Sequence, residues 1–182
     1  MSGAARVRIR EWRDEDLPAL MAMRNDVALQ ESLLARARGS DAARVRHWLE
    51  SRNGPGSMVK VVADAGNDGA IGYVQAVEID PDHRRADLGI CLAPAHQGRG
   101  LGSESMRAFM DLLRTSLGIG KVTLRVRADN ARAIGCYRGL GFRECGRLRA
   151  HAWFGERWVD VVLMEAFLDA RRDPAPEGSP RG

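Results

Sequence analysis

Three glycines spaced two residues apart, Gly98, Gly100 and Gly102, separate a short apolar run from an amphipathic segment. The run at residues 88–92 predicts a buried strand. The segment that follows repeats apolar residues at helical spacing, at Met106, Phe109, Met110, Leu113 and Leu117. A glycine loop at a helix start exposes backbone N–H groups at the positive end of the helix dipole. The pattern therefore favours a loop that binds phosphate groups.

Two common phosphate loops do not match this segment. A Walker A loop ends in Gly-Lys-Ser/Thr, and residues 97–103 contain no lysine. The dinucleotide fingerprint Gly-x-Gly-x-x-Gly needs its third glycine one residue later than Gly102. An ordinary glycine-rich turn is the alternative that the glycines alone leave open.

A second pattern follows the amphipathic segment. Residues 121–127 predict a strand, and Asn130, after Asp129, is a favourable helix N-cap. Ala133 and Tyr137 are four residues apart, so they share one face of the predicted helix. Gly141 stands where a helix would end in the left-handed conformation. Taken alone, Tyr137 is better explained as a half-buried core residue, and its separation from the upstream glycine loop is what favours a functional role.

Together the two segments resemble the GNAT superfamily of acetyl-CoA-dependent N-acetyltransferases. The sequence Gln-Gly-Arg-Gly-Leu-Gly at residues 97–102 is similar to the family's Gln/Arg-x-x-Gly-x-Gly/Ala signature, and residues 130–142 match its second half. The resemblance extends over residues 7–167. It implies an α/β (α+β) fold, with a mixed, mostly antiparallel central sheet and helices on both faces. One domain is expected at residues 1–170, and residues 171–182 are expected to form a disordered tail.

The resemblance implies roles for individual residues. Loop N–H groups would hold the pyrophosphate of coenzyme A, and the strand before the loop would pair with the pantetheine arm. A backbone N–H near Cys91 or Leu92 would stabilise the oxyanion. Tyr137 would protonate the leaving thiolate, since a phenol with a pKa near ~10 is a proton donor at neutral pH. The residues expected to bind coenzyme A are Cys91, Leu92, Ala93, Gln97, Gly98, Arg99, Gly100, Leu101, Gly102, Ser103, Asn130 and Tyr137.

The implied chemistry is direct attack of a neutral amine on the thioester, with no enzyme nucleophile. Some relatives carry a glutamate base on the strand before the loop, but Ala86 occupies that position here. Asp87 and Glu78 are the candidate bases, with His83 and a water chain as alternatives. For both carboxylates, a solvated charge at a strand end is the slightly favoured explanation.

The acceptor site is expected at the early helices and the last strands. The pair Arg24-Asn25 resembles GNAT members that acetylate nucleotide-linked amino sugars, and also the ribosomal-protein and polyamine branches. His151, Trp153 and Trp158 would form an amine- or sugar-binding wall, unless they pack at a sheet edge or a dimer interface. An amino sugar, free or nucleotide-linked, is slightly favoured over a protein N-terminus. A sensor that binds acyl-CoA without turnover is the third possibility.

Composition limits the kinds of partner, cofactor and cellular location to be expected. The net charge is +4, and all but two of the 28 basic residues are arginine, which is typical of GC-rich bacterial genomes. Because the arginines are spread along the chain and largely balanced by acidic residues, no nucleic-acid partner is expected. The three cysteines lack metal-ligand spacing, so no metal is expected. No apolar stretch is long enough for a membrane span, and no signal peptide is evident. We expect a cytoplasmic monomer or homodimer.

Periodicity and turn residues predict the other elements. Strands are expected at residues 6–12, 58–63, 70–79, 86–93, 121–127, 142–150 and 157–166. Helices are expected at residues 14–25, capped by Asp14, and at 41–52 and 130–140. Residues 31–38 are expected to form a second short helix or an ordered loop.

Overall fold

The protein is described here by a computed structural model that covers residues 4–169. The strands in this part of the chain are β1 Val7–Arg10, β2 Met58–Asp64, β3 Ala70–Asp80, β4 Arg85–Leu92, β5 Lys121–Arg127, β6 Arg143–Phe154 and β7 Arg157–Phe167. The α-helices are α1 Leu17–Asn25, α2 Val27–Ser32, α3 Ala42–Ser51, α4 Leu101–Leu117 and α5 Ala131–Gly139. Short 3-10 turns at Asp14–Asp16 and Pro94–His96 precede α1 and the glycine loop. The predicted tail at residues 171–182 lies outside the described residues.

The strands form one sheet in the order β1-β2-β3-β4-β5-β7-β6. Every neighbouring pair is antiparallel except β4 and β5, which run parallel. One apolar cluster packs α4 and α5 on one face, and a second packs α1, α2 and α3 on the other. The predicted fold class, a mostly antiparallel sheet with helices on both faces, is confirmed.

The parallel pair β4–β5 separates part-way along its length. Its register runs from Arg85 opposite Lys121 to Leu88 opposite Leu124. Beyond that point β4 continues through Gly89–Leu92 and pairs only with β3, among the described residues. The edge of β4 that faces β5 is therefore left open over its last residues, and a wedge forms between the two strands.

Helix ends mostly follow the predicted signals. The Asn130 side chain accepts a hydrogen bond from the Ala133 N–H at 3.1 Å, and Asp41 caps α3 in the same way through Arg44 at 2.8 Å. Gly141 follows α5 with φ = 90°, as predicted. The prediction that Asp14 caps α1 is wrong, because a 3-10 turn precedes this helix and the Asp14 carboxylate binds Arg46 at 2.7 Å.

Residues 31–38 were predicted to form a short helix or an ordered loop; the helix lies earlier in the chain, and most of this range is loop. Helix α2 begins after Asp26, whose carboxylate accepts the Leu29 N–H at 2.9 Å. It ends at Ser32, and Leu34 adopts φ = 57°, which an α-helix cannot continue through. Residues 33–41 are irregular. The Asp26 cap was the sequence signal that would have located this helix.

Candidate active site

The wedge between β4 and β5 opens into a cleft of about 1240 Å³ that crosses the sheet. Its lining includes the glycine loop and α5 at one end, and α1, α3 and the segment after α2 at the other. This volume suits a large ligand, since pockets for drug-sized molecules are roughly 300–1,000 Å³. The sheet's open edge forms the middle of the cleft, where Gly89, Ile90, Cys91 and Leu92 lie.

The glycine loop forms the turn that leads into α4. Gly98 has φ = 73° and Gly100, the N-cap of α4, has φ = 78°, so both occupy the left-handed region that favours glycine. Gly102 lies inside the helix, where a Cβ would meet the Leu92 side chain at 3.6 Å, an ordinary contact. The N–H groups of the first helical turn have no intrahelical acceptor and can bind an anion.

Gln97 differs from the glycines of the loop because its backbone N–H and its side chain are already hydrogen-bonded within the protein. Its backbone N–H donates to the Pro94 carbonyl at 3.2 Å, so this group is already paired. Its side-chain Nε2 donates to the Leu92 carbonyl at 2.8 Å, and its Oε1 accepts from Arg132. Gln97 thus links the end of β4 to α5, in addition to lining the cleft.

Residues at the start of the chain form hydrogen bonds with the glycine loop and with α4. Arg6 donates from Nη1 to the Arg99 carbonyl at 3.1 Å. The Glu104 carboxylate on α4 accepts the backbone N–H groups of Arg6 at 2.6 Å and of Val7 at 3.3 Å. Sequence reasoning missed this link because 98 residues separate its partners.

Tyr137 lies on α5 and faces the cleft. The residue is 9% exposed, and its ring packs against Phe142 with centroids 5.8 Å apart. Burial raises the pKa of the Tyr137 hydroxyl well above its ordinary value, and the neighbouring Cys136 adds to this effect. The phenol therefore stays protonated at neutral pH and can donate a proton. Cys136 itself contacts Ser103 of α4, with Sγ and Oγ 3.1 Å apart.

Asp87 and Glu78 also line the cleft, on the opposite side of the wedge from α5. Burial raises the pKa of Asp87, while the charge of Arg125 opposes the rise and Glu78 adds to it. The Thr123 hydroxyl lies 3.4 Å from the Asp87 carboxylate. Glu78 occupies an irregular part of β3 with φ = 50°. A carboxylate with a raised pKa is better matched to accepting a proton near neutral pH than an ordinary one.

His83 and Cys91 lie in environments that do not suit a catalytic base or nucleophile. The exposed His83 ring hydrogen-bonds Asp80 through Nδ1 at 2.8 Å, and His83 is not part of the cleft lining. Cys91 is buried in the cleft wall, and this burial raises the pKa of its thiol to about 12. A thiol that stays protonated is a poor nucleophile, which agrees with direct attack by the acceptor.

At the other end of the cleft, Arg24 lies over an aromatic pair. Its guanidinium carbon is 4.3 Å from the centroid of the Trp48 ring, and Trp48 meets Tyr73 edge-on with centroids 5.1 Å apart. Beside them, the buried Gln30 side chain donates to the Met23 carbonyl at 3.0 Å. Burial lowers the pKa of Arg24. Arg24 and His151 both line the cleft, as expected for acceptor-binding residues.

Three of the predicted acceptor residues lie elsewhere. The Asn25 side chain accepts the Ser40 N–H at 2.6 Å and donates to the Ser40 carbonyl at 2.8 Å, which ties the end of α1 to the irregular segment. Trp153 and Trp158 stack edge-on at 5.3 Å near the turn between β6 and β7, and they are 46% and 59% exposed. None of the three lines the cleft.

The family model of the acetyltransferase (GNAT) domain matches residues 6–143, which include the glycine loop, β4 and α5. The chain belongs to the GNAT acetyltransferase family. This confirms the resemblance based on residues 97–102 and 130–142, and with it the predicted enzyme class.

Known GNAT relatives differ in their acceptors. The chain is 36% identical over 104 residues to a spermidine N(1)-acetyltransferase of Vibrio cholerae, a match that covers 57% of this chain and 60% of that protein. It is 25% identical over 167 residues to an L-methionine sulfoximine/L-methionine sulfone acetyltransferase of Pseudomonas aeruginosa, covering 90% of this chain and 96% of the relative. The first of these matches thus spans less than two thirds of the relative's length.

A solved GNAT structure supports the cosubstrate. The fold superimposes with a TM-score of 0.82 on spermidine N-acetyltransferase from Vibrio cholerae in complex with CoA and spermine, at 25% identity, covering 89% of this chain and 95% of that one. In the present GNAT chain, the left-handed glycines before α4 and the open edge of β4 suit a pyrophosphate and an extended arm. These features fit the cosubstrate that the family resemblance implies, acetyl-CoA. Within residues 4–169 no helix is both long and apolar enough to span a membrane.

Proposed function

We propose that this protein transfers the acetyl group of acetyl-CoA to a primary amine of a small molecule. The observation that carries the proposal is that one cleft joins three groups: the start of α4, the phenol of Tyr137 and the carboxylate of Asp87. An anion-binding helix start, a proton donor and a proton acceptor are the groups that amine acetylation from a phosphorylated carrier requires.

In this proposal the acceptor's neutral nitrogen attacks the thioester carbonyl directly. The N–C bond forms as the C–S bond breaks, the amine's proton passes to the Asp87 carboxylate, and the Tyr137 hydroxyl donates a proton to the departing sulfur. Glu78 is the second candidate for the base. The open edge of β4 offers the backbone N–H of Leu92 to the carbonyl oxygen, since N–H groups alternate in direction along a strand and that of the next residue, Ala93, bonds Ile71 of β3 at 2.9 Å. Asn130 holds the carrier arm beside its role as the cap of α5.

The charges in the cleft bear on the choice of acceptor. Six arginines line it, whereas Asp87 and Glu78 are its only carboxylates among the described residues. A polyamine is a multiple cation that such a lining repels, although relatives named above act on spermidine. The lining instead favours an amine that also carries an acidic group. The nucleotide-linked amino sugar suggested by the sequence meets this condition, and so does an amino acid.

A thiol-release assay tests the proposal. Acetyl-CoA is offered with amino acids, free and nucleotide-linked amino sugars, polyamines and N-terminal peptides, and release of coenzyme A thiol is measured for each. Turnover of a small amine supports the proposal. Turnover of peptides alone would reassign the protein to N-terminal acetylation, and tight acetyl-CoA binding without any release would reassign it to acyl-CoA sensing.

A further inference from the structure

Arg24 is a half-buried cation for which the described residues provide no counter-charge. Its Nε atom is inaccessible to solvent and has no hydrogen-bond partner within residues 4–169. In the same residues no carboxylate forms an ion pair with its guanidinium. The groups that interact electrostatically with Arg24 are Tyr73, Cys91 and a second cation, Arg52, and burial raises the pKa of both the phenol and the thiol, so neither carries a negative charge at neutral pH. Leaving a buried charge unpaired is unfavourable, so such groups normally have a partner.

The surroundings of Arg24 hold its guanidinium in place. Its guanidinium carbon lies over the Trp48 ring, 4.3 Å from the centroid, and Trp48 in turn meets Tyr73 edge-on. A stacked guanidinium leaves its N–H edge available, and that edge suits a carboxylate or phosphate, which it binds through two parallel hydrogen bonds. Arg24 therefore has the geometry of an anion-binding group.

The position of Arg24 would place a bound anion close to the wedge between β4 and β5. Arg24 interacts electrostatically with Cys91, which lies on the part of β4 that forms the wedge. Arg36, Arg38 and Arg52 also line the cleft, and they add to its positive potential. The carboxylates Asp87 and Glu78 belong to the strands of the sheet rather than to the helices around Arg24.

We infer that Arg24 binds an acidic group on the acceptor and thereby selects acceptors in which the reacting amine and a carboxylate or phosphate belong to the same molecule. The inference rests on the proposed function, because it assigns one part of the cleft to the acceptor. Two acceptor classes have this chemistry: an α-amino acid, through its carboxylate, and a nucleotide-linked amino sugar, through its phosphates. A polyamine lacks the group.

Binding measurements test the inference without depending on turnover. Using the full chain saturated with coenzyme A, calorimetry compares a set of L-amino acids with their carboxamides, and a UDP-linked amino sugar with the free sugar. We expect the acidic member of at least one pair to bind roughly 10- to 100-fold more tightly, as charge-assisted hydrogen bonds do. The pair that responds identifies the source of the acidic group.

Two variants connect this preference to Arg24. Arg24→Met keeps a long side chain over Trp48 but removes the charge, so the acidic probe should lose roughly 10- to 100-fold in affinity while its neutral counterpart is unchanged. Arg24→Lys should retain part of the preference, since an ammonium binds the anion at a single point. Arg107→Met is the control, because it removes one positive charge from the exposed face of α4.

The outcomes separate the inference from the proposed function. Equal binding of the acidic and neutral members in every pair would overturn the role of Arg24, and so would an equal loss of both members in Arg24→Met. Selective binding of an acidic probe that is never acetylated would retain the role of Arg24 and refute the proposed transfer. Selective binding together with thiol release supports both.

Discussion

Replacing Tyr137 with phenylalanine isolates the proposed proton donor. The variant keeps the aromatic ring that packs on Phe142 and removes only the hydroxyl, so the fold and the carrier site should be preserved. General acid catalysis contributes typically about 10²–10⁴-fold in rate. That factor corresponds to about 3–5 kcal/mol of transition-state free energy, and we expect kcat to fall by this amount.

The assay measures thiol release at saturating acetyl-CoA with the best amine from the panel, and calorimetry measures acetyl-CoA affinity. Because burial raises the pKa of Tyr137, the phenol stays protonated across the neutral range. Titration of this group should therefore not limit kcat of the parent protein at neutral pH. The dissociation constant of acetyl-CoA should change little, because the variant retains the ring and the glycine loop.

A packing control distinguishes proton transfer from ring placement. Phe142→Leu disturbs the ring contact but leaves the Tyr137 hydroxyl, so kcat should fall far less than in Tyr137→Phe. An unchanged kcat in Tyr137→Phe would refute the acid role. Equal losses in the two variants would show that the ring's position, and not its hydroxyl, supports the reaction.

Three further substitutions test other parts of the cleft. Asp87→Asn should lower kcat by ~10²–10⁴-fold. It should also raise the free energy of unfolding at pH 7, measured in urea. Burial raises the folded-state pKa of Asp87, so the native carboxylate loses stability as pH rises through that pKa, and the neutral amide does not. No gain in stability at pH 7, or a gain that persists below pH ~3, would contradict this. Gly100→Val should weaken coenzyme A binding in calorimetry, because Gly100 has φ = 78° beside Arg6. The control Gly118→Val, at φ = 65° on the other end of α4, should lower stability alone. If the two variants bound coenzyme A with the same affinity, the loop would be only a turn. Glu104→Gln should lower the free energy of unfolding by about 1 kcal/mol or more, because an amide oxygen replaces a carboxylate that binds two backbone N–H groups of the first strand; an unchanged urea midpoint would exclude this contribution.

Several features of the fold and cleft were predictable because their signals are local. Positive φ at Gly98, Gly100 and Gly141 follows from the glycines, and the cap at Asn130 follows from its amide beside a helix start. The antiparallel sheet with helices on both faces followed from the family resemblance. Of the two alternatives for residues 31–38, the loop holds after Ser32, whereas the short helix begins earlier, at the cap formed by Asp26.

Contacts between distant segments had no signal in the sequence. Asn25 was expected to touch the acceptor, yet its amide is committed to Ser40, 15 residues away. The pair Trp153 and Trp158 was expected to form a wall, yet the hairpin of β6 and β7 places it outside the cleft lining. A side chain's direction depends on the register of the element that carries it, and one residue's shift in a strand reverses the face.

The sequence by itself determined the chemistry of short segments: a glycine loop at a helix start, a capped helix carrying Tyr137, and membership of the GNAT family. Those properties depend on backbone conformations within a few residues, which side-chain type controls directly. Only the tertiary structure decided that β4 and β5 separate after Leu88 and Leu124, and that the buried Nε of Arg24 has no hydrogen-bond partner within residues 4–169. Strand separation and burial of a charge depend on packing between elements far apart in the chain, which no local pattern encodes.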